Sequence, residues 1–142
     1  MTLLTPYLRF VLRANAIVSL AARQMEQSHD PLPVVKFFNP LGAATWLATE
    51  LHEDDDTVFG LADLGFGCPE LGVFSLGEIE SVRLPFAMRI ERDVGFSTSD
   101  PLSRWAKVAR RTGSIIHAEQ QLIRAARAIS KLPTGPDAGA GG

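Results

Sequence analysis

VVKFFNPLGAATWLATELHEDDDTVFGLADLG, residues Val34 to Gly65, reads as three consecutive strands and decides the fold class. Val34–Phe38 and Ala44–Leu51 are dense in β-branched and aromatic residues. Asn39-Pro40-Leu41-Gly42 between them supplies turn residues, so the two runs are predicted to pair as an antiparallel hairpin. Glu53 to Asp56 forms an acidic turn, and Thr57–Leu64 returns as a third strand. On that strand Val58, Gly60, Ala62 and Leu64 point one way and Phe59, Leu61 and Asp63 the other. Asp63 therefore ends an apolar row and is predicted to lie at the sheet margin or to be paired.

Downstream, the glycines of Gly65-Phe66-Gly67-Cys68-Pro69 permit a reversal, and Leu71–Phe74 is a short strand. Ser75-Leu76-Gly77-Glu78 has capping-box spacing, with Phe74 and Ile79 as the staple, so a short helix starts there and stops at Leu84-Pro85. Phe86–Asp93 alternates apolar and charged residues and is predicted as a half-exposed edge strand. Upstream, Thr5-Pro6 opens a helix that runs to Met25. Beyond the sheet, Asp100 is the expected N-cap of a helix that buries Leu102, Trp105, Ala106 and Ala109 and closes at Gly113. Ser114 caps a last helix, on which Ile115, Ala118, Leu122, Ala125, Ile129 and Leu132 recur at steps of three and four. The expectation is an α+β fold: an antiparallel sheet of four or five strands flanked by helices, one domain over 1–132 with a C-terminal amphipathic helix at 114–132, and a disordered tail at 133–142.

The 142 residues are 46% hydrophobic and 21% charged, which fits a packed core rather than disorder. A single cysteine excludes an internal disulfide and a multi-cysteine zinc site and suits a cytoplasmic location. No apolar run is long enough to span a membrane, and the N-terminal one has arginines within it rather than before it, unlike a signal peptide. No HExxH, EF-hand, GxGxxG or Walker pattern is present, so no metal or cofactor is expected. Cys68 has no neighbouring base to activate it and reads as a packed or incidental thiol.

Charge is distributed unevenly. Thr45 to Glu80 holds nine acids and no lysine or arginine, whereas Pro101 to Leu132 holds seven bases against Glu119 alone. Glu50, Glu53, Asp54, Asp55, Asp56, Asp63 and Glu70 are the expected partner-binding residues, an acidic surface on which a partner's basic side chains land. The competing reading makes Glu53–Asp56 a solvated hairpin tip and has Asp63 and Glu70 brace the glycine-rich turn. On the docking reading, reversing Asp54, Asp55 and Asp56 leaves stability almost unchanged. Ile115, Ala118, Leu122, Ala125 and Ile129 are the expected homodimer seam, against the alternative that this helix folds back on its own sheet. The basic C-terminal region makes nucleic acid an alternative partner, disfavoured because its sole aromatic, Trp105, falls on the buried face. A small hydrolase using Asp63 and Glu70 is a third reading.

The ordered blocks VVKFFNP (34–40), ATWLATEL (44–51), FGLADLG (59–65), PELG (69–72) and FSL (74–76) resemble an uncharacterised bacterial domain-of-unknown-function family of plasmids, conjugative elements and phages. The resemblance runs from about Leu8 to Trp105, includes Trp46, Asp63, Glu70 and Gly72 in the family signature, and departs after Gly113. It implies no reaction. It does imply a mobile-element setting, in which a small non-enzymatic protein that inhibits a host defence protein or ribonucleoprotein complex, of anti-CRISPR or anti-restriction type, is the leading expectation.

Overall fold

A computed structural model describes residues 3–132; the tail expected at 133–142 lies outside the described residues. Helix α1 (Pro6–Gln24) is followed by β1 (Val35–Phe38), β2 (Thr45–Leu51), β3 (Thr57–Asp63), β4 (Glu70–Ser75), the short α2 (Leu76–Ser81), β5 (Glu91–Arg92), α3 (Leu102–Thr112) and α4 (Ile115–Ser130). The strands form one antiparallel sheet in the order β4-β3-β2-β1-β5. This is the α+β architecture expected, with five strands and a C-terminal helix.

Every residue of the central strand β2 is buried, because both faces of the sheet are covered. Leu12 of α1 packs with Val35, Phe37, Trp46, Ala48, Leu51 and Val58 on one face. Leu47 and Leu61 pack with Trp105, Ala109, Ile115 and Leu122 of α3 and α4 on the other. Strand alternation explains most of this division, but β2 breaks it midway. Ala48 pairs with Gly60 and Glu50 with Phe59, so Thr49 is an extra residue in a β-bulge. The bulge reverses the alternation, sending Leu51 to the α1 side and Glu50 to the side of Phe59. Gly60 permits it: a Cβ there would lie 1.8 Å from the Leu47 carbonyl oxygen.

Two local expectations are corrected. Phe86–Asp93 is not a continuous strand: Pro85–Ala87 forms a 3₁₀ turn, and only Glu91 and Arg92 pair, with Phe38 and Phe37. Phe86 and Ala87 take φ values of 62° and 59°, a left-handed conformation that no pleated strand contains. Asp100 is not the N-cap of α3. The Leu102 amide donates to the Pro31 carbonyl at 2.9 Å and the Ser103 amide to Asp30 Oδ1 at 3.0 Å, so the cap comes from a loop far earlier in the chain. Asp100 pairs instead with Arg104 at 3.3 Å. The other ends follow the sequence: Thr5 caps α1, Ser75 caps α2, Gly113 at φ 85° closes α3, and Ser114 caps α4. No helix among the described residues is long and apolar enough to cross a membrane.

Candidate functional site: an acid-floored cleft between α1 and α3

The reversal of alternation at Thr49 turns Glu50 into a cleft of about 530 Å³ that opens between the C-terminal end of α1, the 27–31 loop and the start of α3. Phe59, Leu71 and Val73 of β3 and β4, with Leu102 of α3, form its apolar surfaces. Arg23, His29 and His52 stand around it. Glu50 is 7% exposed. Its carboxylate forms no hydrogen bond or ion pair with any described residue, and no fully enclosed side-chain polar atom is left unpartnered, so its oxygens open onto the cleft. Asp30, on the same rim, is engaged in capping α3 through the Ser103 amide and hydroxyl.

A carboxylate that ends an apolar slot is complementary to a side chain with an aliphatic stem and a cationic head. A second cleft, of about 440 Å³ between the Ser97–Asp100 loop and α4, lacks such a group. There Thr98 accepts from the Trp105 indole at 3.1 Å, Glu119 pairs with Lys36 at 2.8 Å, and Asp100 pairs with Arg104. Among the described residues no three His, Cys, Asp or Glu side chains are grouped to hold a metal ion.

The acidic residues singled out by sequence do not form one surface. At the hairpin tip, Asp54 accepts from the Asp56 and Thr57 amides at 3.0 and 2.8 Å and from the Thr57 hydroxyl at 2.5 Å. These bonds, the Thr57 hydroxyl foremost, with a smaller contribution from the charge of His52, hold its carboxyl down at about 2. Asp55, at φ 63°, pairs with Arg9 at 2.6 Å. Asp56 accepts from the Ser75 hydroxyl and the Gly77 amide, both at 2.8 Å, and ties the tip to the start of α2. Glu53 is exposed, beside a groove shared with Arg13, Leu20 and His52.

Asp63 is fully buried. One of its oxygens accepts from the Gly65 amide at 2.8 Å and the other from the Ile115 amide at 2.9 Å, so it braces the reversal and holds the N-terminus of α4. Glu70 is exposed at the start of the edge strand β4, in a groove with Cys68 and Arg110. Along α4, Ile115, Ala118 and Leu122 are buried against their own domain's core, Ala125 is half-buried and Ile129 is 65% exposed. The first half of the seam is therefore a core face, and its hydrophobic spacing is used within the chain.

Sequence reasoning grouped Glu50 with the acidic tip and did not associate Arg23, His29 or His52 with it. Strand periodicity cannot reveal the bulge that separates Glu50 from the tip. The available signal was Gly60, an isolated glycine inside a strand pattern, which marks a bulge or a close backbone approach.

A family model described as "Protein of unknown function (DUF2958)" matches residues 3–116. The match ends just inside α4, so most of that helix lies beyond it. No curated protein and no solved structure matches the chain.

Proposed function

We propose that this chain, which belongs to the DUF2958 family, is a non-enzymatic binding protein whose Glu50 cleft receives a lysine or arginine side chain of a protein partner. The observation that carries the reading is Glu50 itself: a residue more than nine-tenths buried, its carboxylate unpaired among the described residues and facing a slot walled by Phe59, Val73 and Leu102. A stem of methylene groups fits against those walls while its charged head pairs with the carboxylate. In the mobile-element setting that the sequence resemblance implies, the partner class is a host defence protein or ribonucleoprotein complex, and the outcome of binding is inhibition by occupation of its surface.

Of the acidic residues singled out by sequence, Glu50 alone opens onto this cleft; Asp54, Asp55, Asp56 and Asp63 are engaged in holding the fold, and Glu53 and Glu70 line other grooves. The test compares host proteins that co-purify with the tagged wild type and with Glu50→Gln. Because the Glu50 side chain bonds to no described residue, the variant should keep its unfolding midpoint while the specific partner is lost. Retention of the same partner at the same yield by a folded Glu50→Gln sinks the reading.

The alternative, nucleic-acid binding, is favoured by one observation: Arg104, Lys107, Arg110, Arg111, Arg124 and Arg127 all lie on exposed positions of α3 and α4. Duplex DNA at two salt concentrations distinguishes it, since phosphate contacts weaken steeply as salt rises.

A further inference from the structure

Helix α1 buries Leu12 against the sheet, yet it is apolar on its outer side as well. Tyr7, Phe10 and Ile17 are 72%, 70% and 61% exposed, and Val18 and Met25 are at least half exposed. Tyr7, Phe10, Ala14, Ile17 and Ala21 follow one another at steps of three, four, three and four, a continuous seam on the face away from Leu12. We propose that this seam is a homodimer interface in which α1 pairs antiparallel with α1 of a second copy.

Self-complementarity and area select a second copy as the occupant. With a two-fold axis at Ala14, Tyr7 lies opposite Ala21, Phe10 opposite Val18, Ile17 opposite Val11, and Ala14 opposite itself. Large residues then face smaller ones along the helix, and one patch complements itself, as an isologous interface requires.

The area also suffices. An aromatic side chain carries roughly 150–250 Å², so the exposed apolar side chains of this face total roughly 600 Å², most of the ~800 Å² per partner of a standard interface. Residues 133–142 contain no side chain of the apolar bulk needed to cover it. A lipid surface fits less well, because two of the three arginines of α1 are turned inward: Arg9 pairs with Asp55, and Arg13 donates to the Leu51 carbonyl at 2.7 Å.

Light scattering at tens of micromolar should give a dimer for the wild type and a monomer of unchanged circular dichroism for Phe10→Asp with Ile17→Asp. In a Cys68→Ser background, Ala14→Cys should oxidise to a covalent dimer while Ile129→Cys does not, because only the former sits at the axis. A monomeric wild type overturns the proposal, as does a dimer that persists in the folded Phe10→Asp, Ile17→Asp variant. Monomers that sediment with phosphatidylglycerol–phosphatidylcholine vesicles overturn it in favour of a membrane surface.

Discussion

Asp63 holds the amide of Ile115 at 2.9 Å from the far end of β3, joining the last residue of a strand to the first residue of a helix 52 positions later. The contact is buried and charge-assisted, and the other oxygen of the same carboxylate fixes Gly65. Asp63→Ala leaves two amides without their acceptor. At ~1–3 kcal/mol for each buried group left unsatisfied, the loss should be about 3 kcal/mol, read as a lowered urea midpoint. A change below about 1 kcal/mol would show that the bond does not anchor α4.

Gly60 should tolerate no side chain. Its Cβ would lie 1.8 Å from the Leu47 carbonyl oxygen and 3.0 Å from the Ala48 Cα, both backbone atoms of the central strand. Gly60→Ala is expected to destabilise by about 4 kcal/mol or more, in the range reserved for severe overpacking or strain. Gly72, where a Cβ would meet nothing within 4 Å, should accept alanine with little loss. Equal unfolding midpoints for the two variants would contradict this account of the bulge.

The sheet was legible because β1 and β2 are dense in β-branched and aromatic residues, β3 alternates between two faces and turn residues divide them, and the helices because Thr5, Ser75, Ser114 and Gly113 mark their ends. What escaped is long-range or conformational. Asp30 caps α3 from a distant loop, Phe86 and Ala87 adopt left-handed backbone without glycine, and the Thr49 bulge moves Glu50 to the other face. None of these leaves a local pattern in its own neighbourhood. The acidic run was visible as charge, but charge does not disclose that Asp54 and Asp56 accept backbone amides.

Because its cap is remote, α3 should respond to Asp30 more than to Asp100. Asp30→Ala removes the acceptor of the Ser103 amide and should cost about 1 kcal/mol, the usual value of an N-cap. Asp100→Ala removes only a partly exposed pair with Arg104 and should cost about 0.5 kcal/mol or less. Chemical denaturation of the two single variants checks the order, and the reverse order would restore Asp100 as the cap.

Asp54 gives the hairpin tip an acid dependence. Its folded carboxyl is depressed to about 2, below the ordinary carboxylate value, so the folded state favours the ionised form. That stabilisation is fully present above about pH 4 and is lost as pH falls toward about 2. Stability measured across this window should fall more steeply for the wild type than for Asp54→Asn, with parallel curves counting against the Thr57 bonds as the cause. Because Asp54, Asp55 and Asp56 all hold partners within the fold, reversing them together should destabilise it, contrary to the docking reading's expectation of almost unchanged stability.

The two apolar seams make opposite predictions when an aspartate is introduced. On α4, Leu122 is 5% exposed and packs with Trp105 and Ile115, so Leu122→Asp buries a charge without a partner and should cost about 3 kcal/mol or more. Ile129, beyond the packed half, is 65% exposed, and Ile129→Asp should change stability by about 0.5 kcal/mol or less. Neither change should alter association through α1, since both residues lie on α4. A folded, stable Leu122→Asp chain of reduced mass would instead assign the dimer contact to α4 and return its heptad spacing to the role that the sequence suggests. Thermal unfolding and light scattering on the same two variants therefore separate a helix that completes a core from one that seeks a second copy.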